Sequence, residues 1–350
     1  VSSELTIVIN NKNYAGIESA YIHKSMNSIT GWFILTMENI FNNDADAFDI
    51  KIGDIIEIRI EDQSVINGYI DKLHFSYDDG SNDLTITGRD KTGDLIDCSY
   101  DNKINEWLNQ SALNLLKNLC APFGIDVFVD KSATTQANIK FDRFKVNEGE
   151  FVFDIIFEIC NKIGVLPISM GDGKLTLTQS SSSVTDEVIE ERLKADLILS
   201  NENRFSDYII KGIDGSTNDK NSADYISPYG TFQDPVISRT RPLVILADQP
   251  VSSKRCQEMA RWEAKTRAGL SRVYLCTVAG WVRNDDTIWD INSLVNIIDS
   301  ILDIDDRLLI SDINYILNED DGEITELTFI DKDAYSVNDE SIKIKTRYDR

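Results

Sequence analysis

What the chain holds little of narrows its chemistry first. Only two histidines, His23 and His74, stand among its 350 residues. That makes histidine-rich metal sites and most histidine-based triads hard to build. Cysteine is scarce too: Cys98, Cys120, Cys160, Cys256 and Cys276 are odd in number and widely scattered. No two have the spacing of a zinc knuckle or a redox pair. They read as small core residues of a chain assembled in a reducing cytoplasm. Positive charge is outnumbered, with Lys+Arg 35 against Asp+Glu 59 and a formal charge of −24. Such a balance argues against sequence-independent DNA binding and suits a surface to which nucleic acid does not stick. No signal peptide and no apolar run long enough to span a bilayer is visible. The chain opens at Val1 and already alternates from Leu5 to Ile9, so a trimmed start is expected.

What is present reads as a folded, mostly β chain. The 42% hydrophobic content is ordinary, and the length suits two to four domains. From Tyr69 to Ser99, two alternating stretches flank the acidic turn Asp78-Asp79-Gly80-Ser81-Asn82-Asp83, the signature of a β-hairpin. Behind it comes Gly88-Arg89-Asp90-Lys91-Thr92-Gly93-Asp94-Leu95, which has the glycine spacing of a phosphate-cradling loop. Such a loop needs Lys and then Ser or Thr directly after its second glycine. Asp94 and Leu95 stand there instead, and the nucleotide reading fails. The dozen residues from Gly88 to Ser99 resemble a segment of Mu-like phage baseplate hub proteins, the tail protein P family. A weaker likeness extends over most of the chain.

The first hundred residues read as strands. Leu5, Ile7 and Ile9 alternate, as do Phe33, Leu35 and Met37, with Trp32 and Ile34 on the other face; Ile55, Ile58 and Ile60 follow Gly53-Asp54. Short strands with polar turns predict a small barrel or sandwich. The acidic loop Asp44–Asp49 lacks the glycine and distal glutamate of a calcium loop and reads as a solvated turn. From Asn105 the period changes. Ser111 caps a predicted helix carrying Leu113, Leu115, Leu116 and Leu119, and Ile125–Val129 reads as a strand. A second helix is predicted over Glu148–Ile163, with Phe151, Ile155, Ile159 and Ile163 on one face and Gly164 as its stop. The hairpin Leu166–Leu177 turns at Gly171-Asp172-Gly173, and Ser180–Ser183 reads as a flexible connector. This α/β unit also resembles the matching region of phage late-control and VgrG-type spike-hub proteins.

Asp186, Glu187, Glu190 and Glu191 are expected on a short helix, as a solvated face rather than an acid–base pair. Strands return after Ala195, and Asp214–Tyr229 has the composition of a mobile loop. Beyond it lies the one basic island, Arg239 to Arg283. Its centre is a predicted helix capped by Ser252 or Ser253 and stopped by Gly269. Cys256, Met259, Ala260 and Ala264 form its apolar face, and Arg255, Glu258, Arg261 and Lys265 its charged one. The helix is either a surface laced with local ion pairs or a contact for an acidic partner surface. Arg255, Arg261 and Lys265 are the candidate subunit-interface residues. The stretch from Ser293 to Asp333 echoes the one from Asp54 to Asp90, including an Asp-Asp-Gly turn.

The fold expected is mainly β with an α/β insertion. Residues 1–100 form a first β-barrel-like domain, 101–195 an α/β middle domain, 196–340 a related second β-barrel-like domain with loop and helix insertion, and 341–350 a tail. The resemblance implies a trimeric baseplate hub of a contractile tail, found in the virion after assembly in the host cytoplasm. Its implied partners are the tail tube or a tube-adapter protein on one side and the central spike on the other. DNA would pass through without specific binding, and the chain would insert into no membrane. No catalytic residue, cofactor or metal site is expected. Two rival readings are a hub of a related injection device and a glycan-active or glycan-binding module using Trp32, Trp107, Trp262, Trp281 and Trp289.

Overall fold

The structure, a computed structural model, describes residues 3–38, 50–77, 82–101, 104–180, 183–213, 228–335 and 344–345. The acidic loop at 44–49, the 78–81 part of the first hairpin turn, the centre of the serine connector, the 214–227 excursion and nearly all of the tail lie outside them.

Alternation in the first part yields seven strands: β1 (Leu5–Ile9), β2 (Lys12–Tyr14), β3 (Ile17–Ser25), β4 (Trp32–Glu38), β5 (Ile55–Ile60), β6 (Gln63–Tyr77) and β7 (Asn82–Asp90). They pair antiparallel in the order β3-β4-β7-β6-β5-β1-β2. Ile7, Ile9, Phe33, Leu35, Ile56, Ile58, Leu84 and Ile86 are buried on the inner face, as a side-chain period of two requires.

The middle part runs α1 (Gly93–Asp97), β8 (Glu106–Ser111), α2 (Ala112–Cys120), β9 (Val127–Val129), α3 (Thr134–Ala137), β10 (Lys140–Lys145), α4 (Val152–Ile163), β11 (Leu166–Ile168) and β12 (Leu175–Thr178). The Ser111 hydroxyl accepts from the Asn114 N–H and caps α2. In α4, Ile155, Ile159 and Ile163 are buried and Gly164 ends the helix at φ +70°. The helix starts later than its sequence suggests. Phe151 is its extended N-cap and is half-exposed rather than part of the buried face. These elements enclose their own core around Leu115, Leu116, Ile156 and Leu177.

The rest comprises β13 (Ser183–Ile189), β14 (Lys194–Leu199), β15 (Asp207–Ile213), β16 (Tyr229–Gln233), β17 (Pro242–Pro250), α5 (Ser253–Gly269), β18 (Arg272–Ala279), β19 (Ser293–Asp299), β20 (Ile304–Asn318), β21 (Gly322–Ile330) and β22 (Ile344–Lys345). Asp186 and Glu187 therefore lie on a strand and Glu190 and Glu191 beyond its end, not on a short helix. β13 joins the edge of β19 in parallel register. A sheet edge offers backbone partners that a helix this short cannot match.

Strands β14-β18-β21-β20-β19-β13 repeat the order β3-β4-β7-β6-β5-β1. Each long strand carries an irregularity at the same place. Asp71 is the extra residue between Ile70 and Lys72 against β7, and Ser311 between Ile310 and Asp312 against β21. The outer pair differs, since β1 runs antiparallel to β5 and β13 parallel to β19. Among the described residues neither set closes into the barrel that the strand pattern suggests. β3 pairs instead with the outer half of β20, and the two sets merge into one thirteen-stranded sheet. Each of those edges satisfies the backbone groups of the other. Strands β15, β16, β17 and β22 make a separate sheet, on which α5 packs Cys256, Met259 and Ala260 against Tyr208 and Ile210.

Candidate functional site

The distinctive chemistry of this chain is at its joints. Along the β3–β20 seam, Ser25 pairs with Asp312 and Ala20 with Leu317. The Ser25 hydroxyl donates to Asp312 Oδ1 at 2.6 Å, and His23 Nδ1 lies 2.7 Å from Asn314 Oδ1. Between them Lys24 is 2% exposed. Its Nζ donates to Asp290 Oδ1 at 2.6 Å and to the Met170 carbonyl at 2.8 Å. One ammonium thus ties β3 to the middle domain and to the loop before β19. A buried charge is tolerable only when so partnered. Sequence reasoning passed over Lys24. Its signal is periodicity, because it follows Ala20 and Ile22 on the inward face of β3.

The segment Gly88–Gly93 makes a second joint. Gly88 lies within β7, where a Cβ would stand 2.1 Å from the Tyr69 carbonyl oxygen and 2.6 Å from the Phe33 ring. Arg89 donates from Nε to Asp71 and from Nη2 to Asp97, each at 2.7 Å, so its guanidinium clamps the bulge of β6 to α1. Asp90 is 2% exposed and accepts from the Thr92 N–H at 3.1 Å and the Thr92 hydroxyl at 3.0 Å. Burial pushes its carboxyl up from the ordinary range, against the lowering effect of those bonds. Lys91 N–H donates to the Asn67 carbonyl at 3.1 Å. The loop's glycines and donors serve the chain itself, in keeping with the failed phosphate reading. Across the joint, the Ser64 hydroxyl donates to the Gly171 carbonyl at 3.1 Å. Gly171 has φ +84°, and a Cβ there would lie 2.1 Å from the Val65 carbonyl oxygen.

The three candidate interface residues share α5 but not one role. Arg255 turns inward, 12% exposed, with Nη1 3.1 Å from Glu258 Oε2. Lys265 Nζ is 2.8 Å from Asp333 Oδ1, beyond β21. Arg261 is exposed, one helical turn from Lys265 on the same face. Nearby, Arg267 pairs with Glu263 at 2.7 Å and Arg272 with Asp306 at 2.6 Å. Much of the basic island is therefore neutralised within the chain.

The tryptophans do not form a platform. Trp107, Trp281 and Trp289 are buried, Trp281 donating to the Ile316 and Ile324 carbonyls at 3.1 Å each. Trp32 is half-buried, stacked on Tyr21 with centroids 5.2 Å apart. Trp262, on α5, is also half-buried, so core packing has taken three of the five rings that a glycan surface would use.

Comparison with known proteins agrees with this architecture. The family description "Mu phage baseplate assembly protein GpP-like, N-terminal" matches residues 4–90. "Baseplate hub protein gp44-like, second domain" matches residues 92–179, and "Mu phage baseplate assembly protein GpP, fourth domain" residues 252–338. Baseplate hub protein gp44 of Escherichia phage Mu is 30% identical over 348 residues, covering 97% of this chain and 91% of that protein. The 43 kDa tail protein of prophage MuSo2 from Shewanella oneidensis superposes with TM-score 0.82 at 28% identity, covering 95% of this chain and 99% of that one. A chain of the Francisella PdpA–VgrG complex shares the fold, with TM-score 0.58 at 13% identity over 98% of this chain and 60% of that one.

Proposed function

This chain belongs to the Mu phage baseplate hub protein family, and from that premise we propose that three copies close into a ring. The ring joins the six-fold tail tube, or a tube-adapter protein, to the three-fold central spike. The observation that carries this reading is the repeated strand order with its repeated bulge. Homo-oligomers favour closed cyclic symmetry, and a three-fold ring of a chain with two similar β units presents six similar surfaces to a tube. The middle domain, with its separate core, repeats three times and suits the spike. In this reading the domains divide at 1–100, 101–195 and 196–340, with 341–350 as a tail.

The acid excess supports a lumen for DNA, since a formal charge of −24 repels phosphate and lets the duplex pass without sticking. The part is structural: the buried ion pairs Lys24–Asp290, Arg192–Asp299 and Arg204–Asp234 hold segments together, and we assign no turnover to them. It resides in the virion baseplate after assembly in the host cytoplasm. A second reading, a hub of a related injection device, is favoured by the fold shared with the VgrG complex chain.

Solution mass measurement with imaging of the assembled particle tests the ring. Three copies with the two β units at near-equal radii are expected. A monomer even in the presence of the spike, or clearly unequal radii, would end the six-fold idea.

A further inference from the structure

We infer that Lys24 is an interlock, which makes the seam of β3 on β20 conditional on the docking of the middle-domain hairpin, β11 to β12. Displacing that hairpin opens the seam between the two β units, and opening the seam releases the hairpin. The device acts within one chain and needs no second copy.

Both acceptors of the ammonium depend on that hairpin. Nζ donates directly to the Met170 carbonyl, between β11 and β12, at 2.8 Å. The other acceptor, Asp290 Oδ1 at 2.6 Å, belongs to a loop held by the same hairpin. Two residues on, Asn292 is 3% exposed. Its Nδ2 donates to the Thr178 hydroxyl at 3.3 Å and to the Gln179 carbonyl at 3.0 Å, at the end of β12. The hairpin itself docks on the first sheet by close approach. The Ser64 hydroxyl reaches the Gly171 carbonyl, and a Cβ on Gly171 would stand 2.1 Å from the Val65 carbonyl oxygen. Met170 and Gly171 are consecutive, so a shift of the hairpin off β6 carries the Met170 carbonyl with it.

The seam around Lys24 is apolar. Lys24 lies opposite Ile313, and Ile22 opposite Tyr315; Ile22, Ile313 and Tyr315 are fully buried. Water cannot stand in for a lost acceptor in such surroundings. With the hairpin docked, the closed seam satisfies the ammonium. With the hairpin displaced, the closed seam holds a buried charge short of an acceptor, and local separation of β3 from β20 lets that charge reach water. The opening equilibrium of the seam therefore contains the strength of a charge-assisted hydrogen bond. Losing one shifts it by about tenfold or more.

A coupling of this kind is reciprocal, because both parts bias one equilibrium. It is also removable at a single side chain. Methionine at position 24 is flexible enough to fill the same space and needs no acceptor, so the seam of Lys24→Met closes on apolar contacts and no longer senses the hairpin. A second handle acts on the seam without touching the hairpin: the Ser25 hydroxyl, which donates to Asp312 Oδ1 across it at 2.6 Å.

Amide hydrogen exchange of the full chain, read by mass spectrometry, tests the interlock in two backgrounds, the parent and Lys24→Met. Gly171→Ala drives the hairpin off β6. The seam is read in peptides covering 20–25 and 312–317, with β15, in the separate four-stranded sheet, as reference. In the parent, Gly171→Ala should speed seam exchange about tenfold or more and leave β15 within about twofold. In Lys24→Met the same substitution should speed exchange over 166–178 but leave the seam within about twofold. Equal acceleration of the seam in both backgrounds, or none in the parent while 166–178 opens, overturns the interlock. Ser25→Ala supplies the converse arm: weakening the seam should speed exchange over 166–178 in the parent and not in Lys24→Met. If Gly171→Ala loosens β15 as much as the seam, the whole chain has been destabilised and Ser25→Ala decides. A hairpin indifferent to Ser25→Ala in the parent, or responding equally in both backgrounds, overturns the interlock.

Discussion

Lys24 Nζ stands 2.6 Å from Asp290 Oδ1, and the two side chains differ sharply in their access to water. Lys24 is 2% exposed, Asp290 28%. Removing either partner therefore has unequal consequences. Asp290→Ala leaves a buried ammonium with only the Met170 carbonyl and should cost about 3–5 kcal/mol. Lys24→Met leaves a carboxylate that water can reach and a side chain of similar length in the core, and should cost markedly less. Urea unfolding of both variants checks the asymmetry; equal losses would mean that the ammonium is not the stranded partner.

The glycine joint makes a second prediction. Gly171→Ala combines positive φ with a Cβ 2.1 Å from a backbone oxygen, so β6 and the middle hairpin must move apart. Gly149→Ala has a similar φ of +79° but meets nothing within 4 Å. The second should lose about 1 kcal/mol from backbone strain alone, and the first at least twice that. Limited proteolysis should also cut Gly171→Ala faster between the first sheet and the middle domain.

Local signals were legible in the sequence and long-range ones were not. Ser111 with Leu115, Leu116 and Leu119 specifies α2 within a dozen residues, and Ser252 with Cys256, Met259 and Ala260 does the same for α5. The acids at Asp186–Glu191 misled because the partner deciding their conformation, β19, lies a hundred residues away. The fusion of β3 to β20 was hidden for the same reason: an edge does not record which edge will meet it. At the joints, Arg89 and Asp90 stood in the most recognisable segment of the chain, yet their role emerges only with Asp71, Asp97 and Thr92 in place.

Two buried carboxyls should answer pH in opposite directions. Burial raises Asp90 above the ordinary value, so the fold favours its protonated form. Its contribution is full below the unfolded value near 3.9 and is lost as pH rises through the folded value. Asp90→Asn keeps an oxygen for Thr92 and removes that loss, so melting temperature should rise at neutral pH, with the gain vanishing in acid. For Asp299, burial also pushes upward, but donation from the Leu302 N–H, the Tyr274 hydroxyl, the Ile301 N–H and Arg192 outweighs it and leaves the carboxyl lowered. Its contribution is present above the unfolded value and lost as pH falls through the folded one. Asp299→Asn should therefore destabilise at neutral pH and converge with the parent in acid. Parallel slopes for the two variants would refute the assignment.

Charge on α5 yields the last prediction. If the helix meets an acidic face of a neighbouring subunit, the residue to test is Arg261, exposed on the surface, because Arg255 and Lys265 already hold Glu258 and Asp333 within the chain. Reversing Arg255 would strand Glu258 beside a like charge and confound folding with association. Arg261→Glu changes the outward face alone, so the melting temperature of the monomer should hold within about a degree, as surface substitutions away from special contacts usually alter stability by no more than about 0.5 kcal/mol. Association should weaken, and more so at low salt than at high, because interfacial charge pairs are screened beyond roughly 8–10 Å at physiological ionic strength. Raising salt should in turn weaken the parent assembly toward the level of the variant. Sedimentation of the parent and of Arg261→Glu across a salt series checks both expectations. An assembly indifferent to both salt and Arg261 would return α5 to a surface helix laced with its own ion pairs.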